Sequence, residues 1–171
     1  MTRLVGMETS QLTLSLRARA VPIASTMAAA LASLLPLVAQ APILPPLSFL
    51  VLLAWRLLRP EFWRIWAPLP LGLWDDLFSG QPLGSAMLSW TLAFLVIEAI
   101  DKRLRWRDYW QDWLVAAGII SFVIVANFMI AAMTGGGGPV RVVVPQIIAS
   151  ILLFPLVVRF CAALDRWRLL R

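Results

Sequence analysis

A chain of 171 residues with 61% hydrophobic and 14% charged residues, and a mean hydropathy of +0.83, carries more apolar surface than a water-soluble core can hide, because a domain of this size buries only about 70% of its unfolded surface. The composition points to a single all-α integral membrane domain and excludes a separate soluble one. The net charge of +6 does not signal nucleic acid, since the arginines fall in short stretches between apolar runs; with no histidine and one cysteine, Cys161, a His/Cys metal site, a Ser/His or Cys/His catalytic pair and an intramolecular disulfide are excluded as well.

In chain order, residues 1–19, with Arg3, Arg17 and Arg19, read as a cytoplasmic tail. A first span follows from about Ala20 to Ala39. Ala39-Gln40-Ala41 has the small-x-small form of a signal-peptidase site, but the apolar run is longer than a usual signal core and Pro42 would follow the cut, so the span is expected to stay attached. The second span is expected at Ile43 to Leu58 and the third at Ile65 to Ser79, with Arg56, Arg59 and Arg64 around the connection between them. The third is the weakest, and on length alone a re-entrant segment is an alternative. The fourth, Pro82 to Ile100, carries Glu98 four residues before Lys102, the spacing of a helix-end ion pair. Residues 101–113, DKRLRWRDYWQDW, place Trp106, Tyr109, Trp110 and Trp113 at helical spacings and read as an interfacial helix leading into the fifth span, Trp113 to Met133. Gly135 to Gly138 read as a flexible outer turn, because no Lys-Ser/Thr follows to make a phosphate loop. The sixth span is expected from Val142 to Val158, and a basic cytoplasmic tail from 159 to 171. One membrane domain thus runs from 20 to 158. Within it Asn127 and Gln146 suit interhelical hydrogen bonding.

Charge decides the topology. Six full spans place fourteen of the fifteen basic residues on one side, leaving only Arg141 on the other. The positive-inside rule makes that side the cytoplasm, with both termini there. Trp55, Trp63 and Trp66, and again Trp106, Trp110 and Trp113, flank the basic loops as an aromatic belt.

The third span holds the one unusual stretch, GLWDDLFSGQPLG at 72–84. Gly72, Asp76 and Gly80 are spaced by four and would form a stripe on a continuous helix, with Asp75 turned about 100° away. Pro82 ends that helix or begins the next, leaving Gly84 early in the fourth span. One reading makes the glycines packing sites and the aspartates turn caps. The other makes the stripe a partner contact with Asp76 as its anchor. A catalytic dyad does not fit, because adjacent helix residues cannot face one another across a substrate and no other span interior offers a second aspartate.

Pro46, the run LSFLVLLAWRLLRP and GLWDDLFSGQPLG resemble the bacterial rod shape-determining protein MreD family, whose third span carries a Gly-x-x-x-Asp-x-x-x-Gly-x-x-x-Gly signature. Here the signature falls on Gly72, Asp76, Gly80 and Gly84, and Phe154-Pro155 with Arg159 resembles the family's last span. Asp75 departs from the pattern and receives no role. The resemblance implies a non-enzymatic scaffold of the cell-elongation machinery in the bacterial inner membrane. It needs no cofactor, and its partners are MreC, MreB, RodA and a class B penicillin-binding protein. The family is also similar in fold to the substrate-binding subunits of energy-coupling-factor transporters, which makes a small-molecule-binding transporter subunit the alternative function.

Overall fold

The computed structural model describes residues 20–32, 44–103, 109–136 and 138–169, and every regular element among them is helical. Six helices follow one another: α1, Ala20–Leu31; α2, Leu47–Leu58; α3, Pro68–Ser79; α4, Ser85–Arg103; α5, Tyr109–Met133; and α6, Val143–Leu169. Short 3-10 turns at Pro60–Phe62 and Val140–Val142 lead away from α2 and into α6.

Proline sets several of these boundaries. Pro46 precedes α2 and Pro60 follows it, so extension at either end is disfavoured. Pro68 opens α3, where a missing N–H costs nothing. Both helices are therefore twelve residues long, roughly 18 Å at 1.5 Å per residue, and fall short of the ~30 Å of hydrocarbon. The expected third span began three residues too early, because the chain turns at Ile65–Ala67 before α3 starts. The later part of the expected first span, 33–39, and the start of the second lie outside the described residues. Two helices, α5 and α6, are long and apolar enough to cross a membrane. α6 also continues through the expected tail as far as Leu169.

α2 is the hub. Every residue from Ser48 to Arg56 is buried, the pattern of a helix enclosed on all sides. It packs on α5 and α6. Phe49 meets Trp90 of α4 with ring centroids 5.6 Å apart, and the Trp55 indole Nε1 donates to Ser25 Oγ of α1 at 2.9 Å. α3 packs along α4, α4 along α5, and α5 along α6. The outer helices expose large apolar side chains, among them Ile148, Leu152, Leu156 and Phe160 at four-residue steps on α6, a lipid-facing stripe rather than a water-facing one.

Among the described residues, the basic ends of α2, α4 and α6 converge on one end. Arg56, in the last turn of α2, pairs with Asp101 near the end of α4 at 2.9 Å. Arg59, just beyond α2, donates from Nε and Nη2 to Asp165 Oδ2 near the end of α6, at 3.1 and 2.9 Å. That bond and the charge of Asp165 hold the Arg59 guanidinium above its ordinary pKa. Lys102 pairs with Glu98 within α4 at 2.9 Å. At the opposite end Gln146 Nε2 donates to the Leu44 carbonyl, 2.9 Å away, joining the start of α6 to the segment before α2.

Candidate functional site

The stretch at 72–84 folds as a helical hairpin. α3 stops at Gly80, which takes the left-handed conformation, φ +68°, the usual helix-ending geometry. Pro82 accepts from the Ser85 N–H at 3.0 Å to close the turn, Gly84 sits at φ +92°, and α4 starts at Ser85. The repeat of four is therefore not one helical stripe. Only Gly72 and Asp76 lie on α3 facing α4, while Gly80 and Gly84 supply backbone conformations that a side chain resists. A Cβ on Gly80 or Gly84 would meet nothing within 4 Å, whereas one on Gly72 would lie 2.7 Å from the Met87 Cα and N. Close approach is required at Gly72 alone.

Asp76 is 3% exposed and occupies the N-terminus of α4. Its Oδ1 accepts from the Ala86 N–H at 2.9 Å and from Ser85 Oγ at 3.0 Å. Its Oδ2 accepts from the Gly84 N–H at 2.9 Å and the Met87 N–H at 3.4 Å. The first turn of any helix leaves backbone N–H groups without partners, and a carboxylate there also complements the helix dipole. Asp76 thus performs a capping function for the next helix rather than its own. A buried carboxylate is costly in a membrane unless it is hydrogen-bonded, and these donors offset that cost from inside the chain.

Asp75, to which sequence reasoning assigned no role, is also buried, and Ser48 Oγ of α2 donates to its Oδ1 at 2.5 Å, a length proper to a hydroxyl on a carboxylate. The two adjacent aspartates point to two different neighbours because successive residues on a helix diverge by about 100°. One carboxylate holds α3 to α4 and the other holds it to α2. The sequence signal for Ser48 was a lone hydroxyl at the start of an otherwise apolar helix. The partners Asp101 and Asp165 were hidden because one opens a stretch read for its aromatic spacing and the other lies in a tail read for its positive charge. Gln146 bonds not to a second helix but to the Leu44 carbonyl in the segment before α2, while Asn127 Oδ1 is buried without a hydrogen-bond partner among the described residues. The expected interfacial helix is divided: α4 runs to Arg103, Trp110 and Trp113 stack edge to face in the first turn of α5 with centroids 6.4 Å apart, and 104–108, with Trp106, lie outside the described residues.

Both carboxylates are held by donors of this chain and are aimed at different helices, so the site has the geometry of a brace and not that of an acid–base pair. Among the described residues no three His, Cys, Asp or Glu side chains gather into a group able to hold a metal ion. Comparison with curated proteins and with solved structures finds no match. The family model of the rod shape-determining protein MreD matches residues 16–164, which include α1 to α5, the hairpin and most of α6. That family is one of shape-determining structural proteins and not a known enzyme family. The chain is a membrane protein that belongs to the rod shape-determining protein MreD family, and its role is in rod shape determination.

Proposed function

We propose that the protein is a non-enzymatic scaffold of the cell-elongation machinery in the bacterial inner membrane, with six membrane segments and both termini cytoplasmic. In this reading it joins MreC, MreB and the peptidoglycan synthases, RodA with its class B penicillin-binding partner. The observation that carries it is the family match over residues 16–164. Support comes from the ion pairs that bring the basic ends of α2, α4 and α6 together, as a single cytoplasmic face would require. With α2 and α3 shorter than the hydrocarbon is thick, the membrane thins locally or the flanking turns enter its interface. Gly72, Asp76, Gly80 and Gly84 then act on partners indirectly, by fixing the α3–α4 hairpin that they meet. Depletion in a rod-shaped bacterium with no second copy tests the role: cells are expected to round and swell. Normal rods, or normal rods that lose uptake of one nutrient, would reject it, and the second outcome would favour the small-molecule transport alternative.

A further inference from the structure

At the basic end of the molecule, α1, the turn after α2 and the first half of α3 enclose a cavity of about 600 Å³, within the size range of small-ligand sites. Pro22 and Met27 of α1, Phe62 of the 3-10 turn, Ala67 just before α3, and Leu71 and Trp74 on α3 form an apolar wall. From Ala67 to Trp74 that wall rises roughly 10 Å along the helix axis. Its polar lining is different in kind. Glu61 and Arg64 are both exposed and both line the cavity; neither makes a close ion pair among the described residues, and Glu61 acts only as a minor, more distant charge on Arg59. Beside them stands Trp66, 58% exposed, the residue type that settles at the headgroup level of a bilayer.

An apolar slot with one cation and one anion along its edge is complementary to a molecule with an apolar chain and a zwitterionic head. We propose that this cavity binds a phosphoethanolamine-headed phospholipid of the adjacent leaflet, its phosphate at Arg64, its ammonium at Glu61 and one acyl chain along Met27 and Leu71 toward Trp74. A purely anionic phospholipid satisfies Arg64 but sets its charge against Glu61. Beyond the two charges, a polar vitamin finds few partners on the lining, chiefly the indole N–H groups of Trp63 and Trp74, which are buried and lack a hydrogen-bond partner among the described residues. The inference rests on the basic end lying at a membrane face and not on the role in cell shape. Its failure is therefore read in lipid binding, and failure of the functional reading in cell shape.

Native mass spectrometry of the full chain in detergent, supplied with equal amounts of phosphatidylethanolamine and phosphatidylglycerol, tests it. The wild type is expected to retain one phosphatidylethanolamine in preference. Glu61→Gln removes that preference, by about threefold for one exposed charge contact, and Arg64→Ala weakens retention of both lipids to a similar degree. Ala67→Trp fills the slot and abolishes retention, with helical content and elution volume checked against the wild type. Equal or preferred retention of phosphatidylglycerol by the wild type overturns the proposal. So does phosphatidylethanolamine retained at full occupancy by Ala67→Trp, and so does an intact chain that takes up no lipid beside a truncation lacking residues 1–16 that does, which would make the chain's own tail the occupant.

Discussion

At the scale of single residues, the hairpin makes Asp76 a helix cap supplied from a neighbouring helix, and its substitutions should follow that chemistry. Asp76→Ala leaves three backbone N–H groups without an acceptor and the Ser85 hydroxyl with Gln81 Oε1 alone, and should destabilise the purified protein by about 3 kcal/mol. Asp76→Asn keeps one acceptor oxygen and places an amide, which cannot accept, against the remaining donors, so about half that loss is expected. Thermal unfolding in detergent, without any partner present, checks both; unchanged midpoints would mean that the carboxylate works outside the chain. Asp75→Ala removes the acceptor of the Ser48 hydroxyl and should also destabilise, by about 1–3 kcal/mol, with Ser48→Ala non-additive in the same background. The glycines separate by mechanism. Gly72→Ala drives a methyl into the α4 backbone and should cost about 1–3 kcal/mol. Gly80→Leu meets open space, so it should cost only the left-handed strain of about 1–2 kcal/mol, nearly matched by Gly80→Ala and eased by Gly80→Asn. The spacing of four drew attention to the right residues in the sequence but not to their division of labour. Pro82 marked a break in the sequence, but the helix stops earlier, at Gly80; a repeat of four is the same string on either side of that stop, and the left-handed backbone at Gly80 decides it.

Among the elements, α2 governs stability although it is one of the shortest helices. Phe49 is fully buried, and Phe49→Ala should cost about 3–5 kcal/mol. Leu152 on α6 is 70% exposed, so Leu152→Ala should change the unfolding midpoint little in detergent. A reversed order would mean that the core lies around α6. The apolar run of α2 was legible, but its central position was not, since a helix enclosed by protein and one facing lipid have the same composition. The start of the third helix was misplaced because Ile65–Ala67, apolar in sequence, is used as a turn ahead of Pro68. The ends of α4 and α6 were misread for a related reason. Asp101 and Asp165 looked like minor residues in basic stretches, yet they join those stretches to Arg56 and Arg59.

For the whole molecule, the charge pattern sets the expected orientation. Gln81 and Gly136 lie exposed beyond α3 and α5, at the ends away from the basic cluster, and Gln111 lies exposed in the first turn of α5. In a Cys161→Ser background, Gln81→Cys and Gly136→Cys should react with an impermeant thiol reagent added outside intact spheroplasts, and Gln111→Cys should react only once the membrane is opened. Reaction of Gln111→Cys in sealed spheroplasts would break the six-segment topology. Membership of a shape-determining family was legible from about fifty residues around the hairpin, because the Gly/Asp spacing there is specific; the identity of the contact surfaces was not, because partners enter through surfaces that resemble any lipid-facing helix. The most direct measurement of the proposed role is affinity purification of the intact protein from native membranes in mild detergent, with the accompanying proteins identified. Recovery of MreC together with cell-wall synthases is the expected result, and their absence in favour of an ATP-driven transporter module would contradict it.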